Sequence, residues 1–290
     1  MDYFIQCAVL AAIYGILAIS MDLVAGQAGL LSIAHAGFFG IGAYASAFLT
    51  LHTGCDFAVG VIAGACIAVA VSFILSLPTL RLNDDYFVIG TFAFQMILFS
   101  VLNNWTSVTR GSLGIRGIPS PTIFGCKIDT STEFLILACC CLLFVLFVVY
   151  RITSSPFGRV LHAIREDEVF AKAHGKNTLY FKVAIFAVSA AFAALAGSLF
   201  AHDITYIDPT SFTVMDSILI LSMVIIGGAG SLWGPLVGAV VLITLPEALR
   251  FIGLSSAEAA NVRQIIYGSL LIIMMMFRPR GLVGKYGFNK

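Results

Sequence analysis

Three features of the sequence predict an all-α polytopic membrane protein: 60% hydrophobic residues against 11% charged, a mean hydropathy of +1.01, and long stretches without any charge. A soluble domain carries about 45–50% apolar residues, so the solvent this chain is built for is lipid. Alternation at a two-residue period is absent, which argues against a β-barrel. Lys and Arg number 16 against 15 Asp and Glu, a net charge of +1. Such a balance offers no basic face to neutralise phosphates and speaks against nucleic-acid binding.

The elements follow from the gaps between charges. A bilayer core of about 30 Å needs roughly 20 apolar residues of helix, and lipid leaves no backbone group unpaired. Uncharged runs occur at 3–21, 23–55, 57–80, 86–109, 134–150, 183–202, 217–246 and 264–277. The first has no basic residue before it and is longer than a signal-peptide core, so it reads as a retained span. The run 23–55 contains Gly26, Gly29, Gly37, Gly40 and Gly42 and is expected to break. The run 217–246 is interrupted by Gly227-Gly228-Ala229-Gly230-Ser231-Leu232-Trp233-Gly234-Pro235, which divides it into segments at 214–228 and 232–248. The expected count is eight to ten spans, with nine favoured. Residues 1–290 read as a single transmembrane domain, in which 104–131 and 153–182 are the long loops.

Orientation follows from the basic residues. Arg151, Arg159, Arg165, Lys172, Lys176 and Lys182, with Arg278, Arg280, Lys285 and Lys290 at the C-terminus, make up ten of the 16. The positive-inside rule puts both groups in the cytoplasm. The four crossings between them, an even number, agree with that. Loops 104–131 and 203–213 then fall outside, as does Met1 in a nine-span arrangement.

Metal and nucleotide chemistry find little support. Cys139-Cys140-Cys141 are consecutive in an apolar run, where a helix points them in three directions, so no metal site is expected from them. Cys55 and Cys126 both fall in expected outer loops and could form a disulfide there. Neither Gly175-Lys176-Asn177 nor Gly284-Lys285-Tyr286 meets the Walker requirement for Ser or Thr after Gly-Lys. Gly40-Ile41-Gly42-Ala43-Tyr44-Ala45 matches a loose dinucleotide pattern, but no strand precedes it and it reads as a packing motif. No Ser-His-Asp order and no H-E-x-x-H is visible. The expectation is a non-enzyme with no cofactor.

Small residues recur at helical spacing in Gly60-x-x-x-Gly64 and Gly230-x-x-x-Gly234-x-x-x-Gly238, suited to close helix approach within this chain or against a partner. Gly26-Gln27-Ala28-Gly29-Leu30-Leu31 and Gly227-Gly228-Ala229-Gly230-Ser231-Leu232 share the pattern G-x-A-G-x-L, a faint internal echo of the kind carried by transporters with repeated halves. Polar groups are costly in lipid, so His35, Tyr44, Tyr86, Thr91 and Gln95 are candidates for a translocation path. For His35 a buried hydrogen bond between helices is the alternative. Asp22, Asp216 and Glu247 are expected near span ends.

The cytoplasmic segment has the most specific local pattern. Ser155 and Pro156 supply an N-cap and a first helical residue, with Phe157, Val160, Leu161 and Ile164 following at i, i+3, i+4 and i+7. Gly175 after His174 supplies a stop. The amphipathic helix between them must bury its stripe against lipid headgroups, against the chain's own spans, or in a groove of a cytoplasmic partner.

With these residues in view, the sequence resembles the branched-chain amino acid ABC transporter permeases, the LivM/LivH family. Gly26-Gln-Ala-Gly-Leu-Leu-Ser-Ile-Ala-His35-Ala-Gly-Phe-Phe-Gly-Ile-Gly-Ala-Tyr44 is similar to the family's N-terminal signature. Asp85-Tyr86-Phe87-Val88-Ile89 with Thr91-Phe92-Ala93-Phe94, and the stretch from Thr109-Arg110-Gly111 to Pro119, are similar to its middle spans and outer loop. Ser155-Pro156-Phe157-Gly158-Arg159 through Ala163-Ile164-Arg165-Glu166-Asp167-Glu168 resembles LivM rather than LivH. Gly227 to Pro235 and Phe277-Arg278-Pro279-Arg280-Gly281-Leu282 complete a likeness over nearly the whole chain.

The resemblance implies an ABC importer permease fold in a bacterial cytoplasmic membrane, with a cytoplasmic C-terminus. It implies a second, LivH-like permease, two cytoplasmic ATPases and a periplasmic or extracellular substrate-binding protein as partners. It also makes 155–176 a coupling helix that seats in an ATPase groove, carrying Arg159, Ile164, Arg165, Glu166, Asp167, Glu168 and Gly175. One departure stands out: importer coupling loops often read E-A-A-x-x-x-G, and here only Ala171 matches, after Val169 and Phe170. Related permeases carry urea or sugars, and substrate choice in such systems sits mainly in the binding protein. The path would run along the interface of two permeases with a weakly polar, uncharged lining around His35, Tyr44, Tyr86 and Thr91. An ion-coupled secondary carrier is the rival reading, and the uncharged spans speak against it.

Overall fold

The structure, a computed structural model, describes residues 2–80, 84–123 and 126–250, and from the C-terminal part 266, 268–269, 271–274, 276–277 and 281–283. Helix α1 (Asp2–Asp22) runs on as a π-helical turn at Leu23–Gln27, and after the break at 28–34 comes α2 (His35–Thr53). Helices α3 (Phe57–Thr79) and α4 (Asp84–Asn104) follow, then a single turn α5 (Thr106–Thr109). The loop after α5 holds three two-residue strands, β1 (Ile115–Arg116), β2 (Thr122–Ile123) and β3 (Cys126–Lys127). Next come α6 (Ser131–Thr153), α7 (Pro156–Glu166), α8 (Glu168–Ala173) and α9 (Thr178–Ile204). Strand β4 (Tyr206–Ile207), α10 (Val214–Gly227) and α11 (Gly234–Arg250) complete the order. β1 pairs antiparallel with β4, Ile115 opposite Ile207, and ties the loop before α6 to the one after α9.

Among the described residues six helices are long and apolar enough to cross a membrane: Tyr3–Gln27, Phe57–Thr79, Tyr86–Asn104, Ser131–Thr153, Thr178–Ile204 and Pro209–Gly227. Helix α2 has 19 residues but is diluted by glycines and polar groups, and the apolar part of α11, Gly234–Leu245, is shorter. The last expected span, 264–277, lies partly outside the described residues, so the count of nine is not completed by them. Both expected breaks are present, one in each of the glycine-bearing runs.

The helices divide into a centre and a rim. Of the spanning windows, 72% of α1 and 78% of α9 are buried inside the protein, against 22% of α4 and of α6. Helix α9 packs on α2, α3 and α1, and α1 also meets α6 and α11. Lipid tails are as apolar as Leu, so helices associate here by close packing and interhelical hydrogen bonds rather than by escape from water. At the α2–α9 crossing the fit is backbone on backbone. A Cβ on Gly42 would overlap the Ala194 carbonyl, and one on Gly197 would overlap the Phe39 carbonyl. Gly60 and Gly64 of α3 face Ser46 and Gly42 of α2, and Gly238 of α11 faces Met223 of α10. The small-residue motifs thus serve packing within this chain. Phe39 fills the space between, 5.1 Å from the Phe200 ring and 5.3 Å from Phe212.

Cys139 and Cys140 face outward from α6 and Cys141 is half-buried, the divergence expected of consecutive helical residues. Cys55 carries a free thiol that accepts a hydrogen bond from Thr53.

Candidate coupling and translocation sites

The segment after α6 begins as its sequence predicts. The Ser155 hydroxyl accepts the Gly158 N–H, with Pro156 at the first helical position. The end is a Schellman arrangement: Gly175, with φ +74°, donates its N–H to the Lys172 carbonyl and Lys176 donates to Ala171. The expectation of one helix over 155–176 needs correction, because the chain breaks at Asp167 (φ −156°, ψ 105°) into α7 and α8. Asp167 is an extended residue whose carboxylate accepts the Phe170 N–H and starts the second helix. The physical reason is visible in the pattern: the apolar stripe stops at Ile164, and an Asp ready to cap lies one turn further on.

The stripe itself is buried against the chain's own spans. Leu161 and Ile164 are buried, and the Phe157 ring lies 5.0 Å from Phe181 of α9. Arg159, Ala163 and Glu166, at i, i+4 and i+7, face away, as do Asp167 and Gly175. On α8, Val169 is 76% and Phe170 60% exposed, with the Phe170 ring 4.2 Å from that of His174.

Glu168 fixes α8 to the central helix. It pairs with Lys182 of α9 at 2.7 Å and with Lys172 at 3.1 Å, and accepts the Thr178 hydroxyl at 2.8 Å. Partial burial alone would raise its carboxyl, but the hydrogen bonds from Lys182, Thr178 and Lys172 outweigh that and hold it down at about 2. Arg165, half-buried on α7, donates to the Gly26 carbonyl at the end of the π turn.

The path candidates gather at the start of α2. A helix that begins inside the membrane exposes N–H groups with no intrahelical partner. Side chains from other helices take them: Thr91 of α4 accepts Ile33 N–H at 3.1 Å, Gln95 accepts Gly37 N–H at 2.7 Å, and Ser217 of α10 accepts Ala36 N–H at 3.0 Å. Gln95 also donates to the Phe212 carbonyl at 2.8 Å. His35 is buried, its Nε2 2.8 Å from the Ser189 hydroxyl, which in turn donates to the Ser20 carbonyl. Its Nδ1 and the Tyr44 hydroxyl are buried without a hydrogen-bond partner.

The structure therefore brings His35, Thr91 and Gln95 together, with Tyr44 further along α2 against Phe212 at 5.8 Å. It does not bring Tyr86 to them: that side chain is 59% exposed on α4. The capping duty of Thr91, Gln95 and Ser217 escaped sequence reasoning, since each partner is 58 or more residues away. The usable signal was the expected break itself, which demands acceptors for the helix that follows it. Asp22, expected near a span end, is buried where the π turn begins and accepts the Gly230 N–H at 2.7 Å.

At the C-terminal end of α9 His202 lies between Ser46, 3.0 Å from its Nε2, and the Pro119 carbonyl, 2.8 Å from its Nδ1. A separate cleft of about 350 Å³ is lined by His52, Thr106, Ser107, Arg110, Ile115 and Arg116. Arg116 also lies over the Tyr206 ring at 5.3 Å. Among the described residues no group of three His, Cys, Asp or Glu side chains is placed to hold a metal.

Residues 3–275 match the family model described as a branched-chain amino acid transport system permease component. The high-affinity branched-chain amino acid transport system permease protein LivM of Escherichia coli is 34% identical over 96% of this chain and 69% of its own length. The LivH permease of Salmonella typhimurium is 27% identical over 95% of this chain and 92% of its own. The ribose import permease protein RbsC of Haemophilus influenzae is 25% identical over 82% of the chain and 80% of its own. No solved structure matches the chain. A multi-pass helical protein with two internally capped breaks, matched over nearly its whole length, belongs to the branched-chain amino acid permease family and within it resembles LivM.

Proposed function

We propose that this chain is the membrane subunit of an ATP-driven importer that carries branched-chain or other neutral amino acids inward. The carrying observation is the α7–α8 segment: its apolar stripe is satisfied on the chain's own helices, so what remains outward is a surface ready for another protein. Arg159, Glu166, Asp167, Val169 and Phe170 make the contact with a cytoplasmic ATPase, Ile164, Arg165 and Glu168 hold the segment to the spans, and Gly175 ends it. Two ATPases, a LivH-like second permease and a substrate-binding protein complete the assembly, with the C-terminus on the ATPase side. At the outer face Arg110 and Arg116 share a cleft with no acidic residue in its lining, which suits the acidic side chains of a docking binding protein.

A zwitterion with an apolar side chain needs a weakly polar, uncharged lining and no tight site. Tyr86 lies on the open face of α4, where a second permease would enclose a path, and displacement of the start of α2 would add His35, Thr91 and Tyr44 to it. Purification in mild detergent followed by leucine uptake in liposomes tests the reading. The expected outcome is co-purification with a second permease and ATPases, and uptake that requires ATP. Stable purification alone, with uptake that follows an ion gradient, would overturn it. The 25% identity to a ribose permease favours a second substrate class, and ribose uptake without leucine uptake would select it.

A further inference from the structure

The two G-x-A-G-x-L stretches that echo each other in sequence lie against each other in the fold. Gly26 lies in the last part of the π turn after α1, which ends at Gln27, and Gly227 ends α10. The place of a Cβ on Gly26 is filled by the Asp22 carboxylate and the backbone nitrogen of Gly230. Asp22 Oδ1 accepts the Gly230 N–H at 2.7 Å, and its Oδ2 accepts the Gln27 side-chain amide at 3.4 Å. A buried carboxylate is costly unless hydrogen-bonded, and a well-packed apolar residue would do as well for stability alone. Here the carboxylate spans two chain segments 208 residues apart.

The same glycine turn is held from the cytoplasmic side. Arg165 of α7 donates to the Gly26 carbonyl, and its stem occupies the space left by Gly29, where a Cβ would stand 3.0 Å from the Arg165 Cγ. One hydrogen bond thus joins α7 to the break before α2, and the next joins that break to the one before α11. Energetic coupling between distant sites travels along such chains of hydrogen bonds and packed groups where they have two arrangements.

We propose that Arg165, Gly26, Asp22 and Gly230 form one transmission linkage, through which displacement of α7 moves both helix breaks together. Asp22 is a positioning residue in it: it touches no substrate and acts by tying the second break to the first. The proposal rests on the reading of α7 and α8 as the ATPase-facing element.

The test uses the complete transporter in liposomes with leucine and its binding protein, measuring uptake and ATP hydrolysis in the same sample. Asp22→Ala and Arg165→Ala are each expected to lower leucine moved per ATP by about tenfold. The double variant is expected to be no worse than either single one, because both cut one linkage. Asp22→Asn, which keeps an acceptor for Gly230, is expected to restore most of the ratio. A wild-type ratio in the alanine variants, or losses that add in the double variant, would overturn the linkage. Should the alanine variants fail to assemble, Arg165→Met keeps the stem against Gly29 without the donor, and a wild-type ratio in that variant overturns the proposal. Absence of ATP-dependent uptake by the wild-type complex would instead overturn the importer reading itself.

Discussion

The two breaks share a six-residue pattern and differ in how they are held. The helix after the second break, α11, is started locally: Ser231 accepts the Gly234 N–H at 2.9 Å and donates to the Gly228 carbonyl at 3.1 Å. Residues 282 and 283 add N–H bonds to the carbonyls of Ile226 and Gly227. The helix after the first break, α2, is started by Thr91 and Gln95 of α4 and Ser217 of α10. The Ser231 cap of α11 is made within its own loop, and among the described residues the tie of that loop to another helix is the single bond from the Gly230 N–H to Asp22. A helix start capped from two other helices registers their position, so the first break is the place where relative movement of α4, α10 and α2 is felt.

That contrast can be broken by removing caps one at a time. The largest effect is expected from Gln95→Leu, which takes the side-chain donor from the buried Phe212 carbonyl and leaves the Gly37 N–H only the Ala34 carbonyl at 3.1 Å, at about 1–3 kcal/mol together. Thermal unfolding in detergent should show a loss of about 2 kcal/mol; an unchanged midpoint would mean that α2 does not depend on α4. Thr91→Val removes one acceptor and should cost about 1–2 kcal/mol, restored by Thr91→Ser. Ser231→Ala, at the local cap, should cost about 1 kcal/mol. If Ser231→Ala proved more damaging than Gln95→Leu, the ranking of the two breaks would be reversed.

The smallest effect concerns the α7–α8 segment. Glu168 is held below its unfolded value of 4.5, so its contribution is present above that pH and is lost as the pH falls through about 2. Amide protection of α8 should therefore be constant at neutral pH and decline only between 4.5 and 2. Glu168→Gln should abolish that decline, and a decline already under way at neutral pH would assign it to another group.

Much of this was legible in the sequence because its physics is local. Charge gaps located spans, Gly227 to Pro235 located a break, and Ser155, Pro156 and Gly175 bounded the α7–α8 segment. The division of that segment at Asp167 was missed because an Asp-Glu pair suits a helix surface as well as a cap, and only the end of the apolar stripe distinguishes them. The polar residues were noticed for the right reason, their cost in lipid, yet that cost does not say what offsets it. For Thr91 and Gln95 the partners are backbone N–H groups of a distant break, and no pattern in one sequence pairs them. Tyr86 is exposed, so the cost argument had no hold on it.

The crossing of α2 and α9 has a genetic consequence. A side chain that grows against another side chain can be accommodated by shrinking the neighbour, which is how second-site revertants in tightly packed interiors arise. Gly42 and Gly197 instead abut peptide carbonyls, of Ala194 and Phe39, and a peptide group has no smaller version. Substitutions at these two glycines are expected to yield only true revertants, which makes the α2–α9 pair a fixed keel of this protein.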